Sequence, residues 1–416
     1  MDNRAYLDQL CREAQASARI IANFSTAQKN NLLGGIAASL RRKTGAILAA
    51  NEKDLKTAEE ADMDKAMYER LLLNKERIEA MAVSVEEIAR FEDPVGRIEK
   101  MTLRPSGIRV GQMRVPLGVV AVIYESRPNV TIDIASLCIK SGNAAILRGG
   151  KEAIHTNSAL YSVVRGALSE CGCPETAVTF IERTERDLVS MLVKMNAFID
   201  IVILRGGEGL IKSVTAESTI PVIKHDKGVC HIFIDESAEE EMANRIAVNA
   251  KVQRPAVCNS MECLLIHADY RHKESLIKSL LDHNVEIRGC NRTVAIFPDT
   301  VKPATQQDWG NEFLDLILAV KIVDSPGQAM DHIARYSSSH SEAIVTSDYN
   351  SAQRFLKEVD SSAVFVNAST RFHDGGEFGL GAEVGISTQK LHARGAMGLE
   401  GLTSLKYIIY GKGETR

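Results

Sequence analysis

The 416-residue chain contains no uninterrupted apolar run near the ~18 residues that a membrane-crossing helix needs. Its first 20 residues, MDNRAYLDQLCREAQASARI, scatter charges every few positions and hold no apolar core of a signal peptide. Charge of one sign is also lacking: 50 Lys and Arg face 54 Asp and Glu, for a net charge of −4. No global positive field therefore exists to gather nucleic acid or an anionic membrane, and neither is expected as a partner. Two motifs are missing, Gly-x-Gly-x-x-Gly and Cys-x-x-Cys, so the usual dinucleotide fingerprint and the usual redox or zinc spacing are absent. The eight cysteines, at 11, 138, 171, 173, 230, 258, 263 and 290, lack any secretory context. Free thiols in a cytoplasmic protein are expected, and thiol chemistry stays open.

What is present is the composition of an ordinary globular protein, 45% hydrophobic and 25% charged. At ~150 residues per domain the length suggests two to three domains. Up to about residue 92 the chain is rich in Ala and charge and poor in Gly and Pro, with apolar residues three and four apart, which predicts consecutive helices. Ser25-Thr26-Ala27-Gln28 reads as a capping box opening one of them. Short β-rich runs follow at GVVAVIY (118–124), AAILR (144–148), AVTFI (177–181) and FIDIVIL (198–204), separated by helix-length segments. A second series runs CHIFID (230–235), ECLLIHA (262–268), AIFP (295–298), LAVKIV (318–323), EAIVT (342–346) and SAVFVN (362–367). Strands alternating with helices imply parallel sheets, because parallel neighbours need long crossovers. The expected fold is α/β, with two doubly wound Rossmann-like domains.

Candidate chemistry gathers in a few places. Cys258 lies in QRPAVCNSMECLLI (253–266), in a turn between an amphipathic helix that Pro255 stops and a strand. A buried structural cysteine is the commoner state. Arg254, however, favours a thiolate, and the Cys-Asn-Ser turn frees backbone N–H groups for an oxyanion. A thiolate just past a helix C-terminus faces the unfavourable end of the dipole, so its activation must come from other groups. Asn129 sits in a loop after a buried strand, at the carboxyl end where ligands of open α/β sheets collect. It is either a turn residue serving its own backbone or an amide donor to an oxyanion. Arg148 and Lys151 flank Gly149-Gly150 after one strand, and Arg205-Gly206-Gly207-Glu208-Gly209 follows another. Glycines at such junctions let backbone N–H groups approach phosphate. His225, Cys230 and His231 are close in sequence, yet the last two are adjacent in a strand and point to opposite faces, so no metal site is expected.

The segments YESRPNVTIDIASLCIKSGNAAILRGGKEA (124–153), QRPAVCNS (253–260), EFLDLILAVKIVD (312–324), SSSHSEAIVT (337–346) and FVNASTRFHDGGEFGLGAEVGIST (365–388) carry a resemblance. Over nearly its whole length the chain is similar to the γ-glutamyl phosphate reductases, or glutamate-5-semialdehyde dehydrogenases, a branch of the aldehyde dehydrogenase superfamily. The resemblance makes Cys258 the nucleophile and Asn129 the amide oxyanion donor. It sets Arg148, with Gly149 and Lys151, at the adenosine ribose of NADP. Arg205, Gly206, Gly207 and Glu208 take the helix start over the pyrophosphate. Glu312 with Phe313 takes the nicotinamide ribose, at a spacing one residue different from the family's. Arg127, Arg371 and His373 become candidates for substrate recognition. Three departures stand out: Ala256 where the family has Gly, and Leu204 and Ala396 where it has Pro.

The implied organisation is an aldehyde dehydrogenase-like fold with an NADP-binding domain over 1–227, a catalytic domain over 228–365, and a return segment and tail over 366–416. A small β oligomerisation element would combine residues 102–116 with LKYIIY (405–410), making a homo-oligomer, a dimer or higher. The implied reaction is NADPH-dependent reduction of L-glutamyl 5-phosphate to L-glutamate 5-semialdehyde in proline biosynthesis, through a Cys258 thioester with phosphate leaving. Aldehyde-oxidising relatives carry a Glu that activates water against the thioester. Here the stretch is IKHDKGVCH (223–231), without Glu; one register puts the shorter Asp226 there. That absence favours reduction. The alternatives are an oxidising aldehyde dehydrogenase and a catalytically silent nucleotide-binding protein on the same fold. Any glutamate 5-kinase is expected as a separate polypeptide and is a candidate partner.

Overall fold

The computed structural model describes residues 2–224, 227–380 and 382–416. The chain divides into two compact units, Met1–Lys224 with Gly379–Gly385 and Met397–Arg416, and His225–Phe378 with Ile386–Ala396.

The first unit opens with five helices, Asn3–Ile21, Thr26–Arg42, Thr44–Glu60, Lys65–Leu71 and Lys75–Arg90. The capping box forms: Ser25 Oγ accepts the Gln28 N–H, and Gln28 Oε1 accepts the Ser25 N–H at 2.9 Å. A five-stranded parallel sheet follows in the order Val178–Phe180, Ala144–Gly149, Val119–Tyr124, Ile201–Arg205, Val222–Ile223. Every residue of Val119–Tyr124 and Ala144–Gly149 is buried, as expected of strands covered on both faces. The chain enters the sheet at its centre, builds one side, then crosses over to build the other. This reversal creates a switch point between Val119–Tyr124 and Ile201–Arg205, and at their carboxyl ends lie Glu125–Asn129 and Arg205–Gly207. A separate antiparallel sheet places Arg109–Pro116 between Ile98–Leu103 and Thr403–Tyr410.

The second unit holds a seven-stranded parallel sheet in the order Lys302–Pro303, Glu286–Gly289, Ile317–Val323, Met261–His267, Cys230–Ile234, Ser341–Val345, Ala363–Val366. The expected strand at AIFP is instead the end of a helix, Asn291–Ile296, started by Cys290, whose carbonyl accepts the Thr293 and Val294 N–H groups. Four apolar residues do not carry enough period to tell helix from strand, and Val294 and Ile296 pack on the core from the helix. Glu286–Gly289 and Lys302–Pro303 were not expected as strands. Lys302–Pro303 forms the sheet edge, where Lys and Pro discourage further pairing, and Glu286–Gly289 lies next to it. Residues 366–378 cluster with this unit, held by Asn259: its Nδ2 donates to the His373 carbonyl at 3.0 Å, and its own carbonyl accepts from Thr370 Oγ1 at 2.8 Å.

Candidate active site

In the second unit the helix Glu240–Val252 ends just before Pro255, and the strand Met261–His267 begins three residues after Cys258. Cys258 therefore sits, half-buried, in a turn at the amino end of the sheet. A fully buried ion pair closes the base of this turn, Lys251 Nζ to Glu262 Oε2 at 2.6 Å. Burial pushes the Glu262 carboxyl up to about 7, against the pull of Lys251. Ser260 Oγ adds a bond to the Ala250 carbonyl at 3.2 Å. The turn is thus tied at both ends to rigid elements, the arrangement that an accurately aimed nucleophile requires.

Two further contacts shape the Cys258 backbone. Gly228 packs so closely that a Cβ there would stand 1.9 Å from the Cys258 carbonyl oxygen, so no side chain fits. The Gly228 N–H donates to Glu312 Oε1 at 2.9 Å, which brings Glu312 to the Cys258 turn. Behind Cys258, the buried Cys230 thiol donates to the Cys258 carbonyl at 3.1 Å. The local cation is Arg371. Burial and the neighbouring Arg254 push its guanidinium below the usual range, while Cys258 and Asp374 pull it back up. Its Nε donates to Gln253 Oε1 at 3.1 Å, and it lines a cavity of about 270 Å³ with Asn249, Gln253, Phe372, Asp374 and Glu377. A substrate anion entering there would meet a partly desolvated guanidinium.

His373, expected at the substrate, is wholly buried instead. It stacks on Phe378 with ring centroids 5.4 Å apart and bonds Ser341 Oγ through Nδ1 at 2.8 Å; burial holds its imidazole down at about 4, so it is neutral. Phe313 lies under the Arg288 guanidinium, 5.1 Å from its ring centre.

In the first unit, Asn129 is not in a loop. It is the exposed first residue of the helix Asn129–Lys140, because Pro128 supplies a helix-compatible φ and its carbonyl already accepts the Thr131 N–H at 3.1 Å. Asn129 Nδ2 donates to Asp133 Oδ2 one turn on, at 2.9 Å. Burial lifts Asp133 to about 6, opposed by Asn129 and by Arg205. Arg205 points to Glu383, with Nη1 3.9 Å from Oε1. Asn129 and Arg205 therefore share one neighbour, Asp133.

The helix Glu208–Glu217 starts after Gly206-Gly207 as expected. Its first free N–H, on Gly207, donates to Glu125 Oε2 at 2.8 Å, and a Cβ on Gly206 would come within 2.6 Å of the same oxygen. Glu208 pairs with Lys212 at 2.6 Å on the exposed surface. Arg148 differs from expectation: it is buried, and its guanidinium donates to the Gly149 carbonyl and, at 3.2 Å, to the Thr184 carbonyl. Burial lowers its pKa. Lys151, at the start of the 3₁₀ turn Lys151–Ala153, is exposed. Arg127 is half-buried, and its carbonyl accepts the Val130 N–H at 3.0 Å.

His225 and Asp226 lie outside the described residues. Cys230 and His231 do face opposite ways. His231, Cys263 and His332 gather on the far side of the strand with ligand-type atoms within 4.8 Å. Lys321 Nζ donates to His332 Nδ1 at 3.2 Å, which leaves Nε2 protonated toward Cys263 Sγ at 3.7 Å. The three side chains form a hydrogen-bonded cluster in the core.

Sequence reasoning missed Gly228, Cys230, Asp133 and Glu125. Asp133 was within reach, since a carboxylate four residues after Asn129 shares its helix face. No spacing rule connects Cys230 with Cys258.

The sequence model of the aldehyde dehydrogenase family matches residues 2–291. The γ-glutamyl phosphate reductase of Caldanaerobacter subterraneus subsp. tengcongensis is 53% identical over 407 residues, 97% of this chain and 98% of that protein. That of Clostridium novyi is 50% identical over 418 residues, the full length of both. The crystal structure of γ-glutamyl phosphate reductase from Thermotoga maritima superposes with a TM-score of 0.96 at 43% identity, covering 99% of each chain. An acetylating aldehyde dehydrogenase from Geobacillus thermoglucosidasius shares the fold, with a TM-score of 0.71 at 17% identity over 100% of this chain and 98% of that one. By sequence and fold the chain belongs to the aldehyde dehydrogenase family, in its γ-glutamyl phosphate reductase branch.

Proposed function

We propose that this chain reduces L-glutamyl 5-phosphate to L-glutamate 5-semialdehyde with a nicotinamide cofactor, releasing phosphate, through a thioester on Cys258. The observation that carries the reading is the Cys258 turn, a half-buried thiol anchored by Lys251–Glu262, pressed by Gly228 and facing the field of Arg371. Arg371 stabilises the thiolate, offsetting the unfavourable helix end behind it. Cys258 Sγ attacks the acyl carbon, and the carbonyl oxygen takes the negative charge. The Cys258 N–H and the Asn129 amide are the donors for that oxyanion. Collapse breaks the C–O bond to phosphate and leaves the thioester. A bound nicotinamide cofactor would supply the hydride that turns the thioester into the thiohemiacetal anion. Release of the aldehyde then returns Cys258.

The residues of the first unit fit a dinucleotide. Gly206 sits where a side chain would collide, the helix Glu208–Glu217 begins beside it, and Lys151 offers an exposed cation. Lys151 is the better candidate than Arg148 for the 2′-phosphate of NADPH, because the Arg148 fork is bonded to backbone carbonyls. Glu125 must yield the Gly207 N–H for a phosphate oxygen to use it. Glu312, which holds the Gly228 backbone, is the candidate for the nicotinamide ribose.

Oligomerisation is read from the antiparallel sheet, where Leu103, Tyr407, Ile409 and Tyr410 are exposed along two edge strands. Such a surface suits pairing with a second copy. The reaction is tested in reverse, as phosphate-dependent reduction of NADP⁺ with glutamate 5-semialdehyde. Turnover that requires phosphate supports the reading, and phosphate-independent formation of glutamate would replace it with an oxidising aldehyde dehydrogenase.

A further inference from the structure

Directly behind the nucleophile stands a second thiol that the mechanism above leaves idle. Cys230 opens the strand Cys230–Ile234 and is wholly buried. Its S–H donates to the Cys258 carbonyl at 3.1 Å, and its sulfur lies 3.7 Å from His340 Nδ1. Ser341 Oγ bonds both His340 Nδ1 and His373 Nδ1 at 2.8 Å, so the contact to Cys258 is the outer end of a buried polar chain. Cys258 is in a turn, outside the ladder bonds that fix the neighbouring strand residues. The packed Gly228 backbone and the Cys230 thiol both meet its carbonyl oxygen.

We propose that Cys230 is a positioning residue, whose thiol proton, set by the Ser341–His340–His373 chain, pins the Cys258 carbonyl and so aims the nucleophile. The inference rests on the reading of Cys258 as that nucleophile. Two groups meet the same peptide, the Gly228 backbone and the Cys230 thiol. Without the thiol the peptide loses one of them, and the sulfur of Cys258 swings relative to Arg371. Reacting atoms must be held in a near-attack geometry, and displacement on the order of 1 Å costs up to ~10²-fold in rate.

The two cysteines differ in state as well as place. Burial first, then the charges of Glu342 and of Cys258 itself, raise Cys230 well above the usual thiol range, with Ser341 opposing and Glu262 adding to the rise. Cys230 therefore keeps its proton, and the donor to the Cys258 carbonyl persists. A serine would also donate here, whereas alanine could not.

The experiment compares Cys230→Ala and Cys230→Ser in the full-length enzyme. It measures kcat and KM for glutamate 5-semialdehyde with phosphate and NADP⁺, the melting temperature, and the pH profile of Cys258 alkylation by iodoacetamide. Cys230→Ala should lower kcat by on the order of tenfold with KM little changed, and move the alkylation midpoint upward as the thiolate leaves Arg371. Cys230→Ser should recover most of both. A purely structural role would lower the melting temperature and leave kcat and the midpoint in place, and that result overturns the proposal; so does a serine variant as impaired as alanine. If Cys230→Ala does not fold, Ser341→Ala reads the chain from its other end, with a several-fold fall in kcat expected and wild-type kcat overturning the idea. Retained activity in Cys258→Ser would sink the nucleophile itself, a failure separate from any Cys230 result.

Discussion

The two sheets present their functional residues at opposite ends. In the first unit Asn129, Arg205 and the Gly206-Gly207 turn lie at the carboxyl ends of parallel strands, where helix N-termini point and anions are welcome. In the second, Cys258, Cys230 and Ser341 lie at the amino ends, beside the C-terminus of the helix Glu240–Val252. The first end offers positive partial charge from backbone geometry alone. The second must import it, and it does so with Arg371 and Arg254. One sheet is therefore suited to hold phosphates with few side chains. The other surrounds the Cys258 turn with a dense framework of Lys251, Glu262, Gly228, Cys230 and Asn259.

That contrast predicts where substitutions hurt most. Cys258→Ser replaces the thiol with a hydroxyl of far higher pKa, so turnover should fall to background while folding and cofactor binding persist. Gly228→Ala comes next. Its Cβ would fall 1.9 Å from the Cys258 carbonyl oxygen, and kcat should drop on the order of 10²-fold as the turn shifts. Asn129→Ala, at the other kind of end, removes one oxyanion donor. A loss of ~10²–10³ in turnover is expected, with an unchanged dissociation constant for NADPH measured by titration. Wild-type turnover would return Asn129 to a helix-start residue.

Stability separates the two ends too. Lys251→Met leaves the Glu262 carboxylate buried without its cation, for about 3–5 kcal/mol in denaturant unfolding. Because burial already raises Glu262 to about 7, that carboxyl takes up a proton readily, and the deficit should be smaller at acid pH than at alkaline pH. An equal deficit at both would place the loss elsewhere. The smallest effect concerns cofactor choice: Lys151→Ala should raise the KM for NADPH several-fold more than that for NADH, and Arg148→Ala should disturb both alike through packing. The reverse pattern would restore Arg148 to the 2′-phosphate.

Much of the fold was legible because its signals are local. The capping box at Ser25 and most of the β-rich runs are set by neighbours in sequence, and they appear where expected. AIFP was misread because its period is too short, and Glu286–Gly289 was missed because a four-residue strand carrying Glu286 and Arg288 lacks an apolar run. In the site, Cys258 was visible from its turn and its family text. His373 was a substrate candidate through the resemblance alone, yet Asn259 draws its segment into the core. Arg148 looked free because nothing in the sequence says that the Thr184 carbonyl lies within its reach. Contacts made across long separations decide whether a charged group is available, and composition and spacing do not report them.

The central claim, that Cys258 is the nucleophile among eight cysteines, is tested most directly by peptide mapping after brief iodoacetamide treatment. Cys290 is the informative competitor: burial raises its thiol, but hydrogen bonds from Thr293 and the Ile322 N–H bring it below the usual range. The account predicts that loss of reductase activity follows the label on Cys258 one for one, whatever happens at Cys290. Activity that survives full labelling of Cys258, or disappears with label on Cys290 alone, would contradict it.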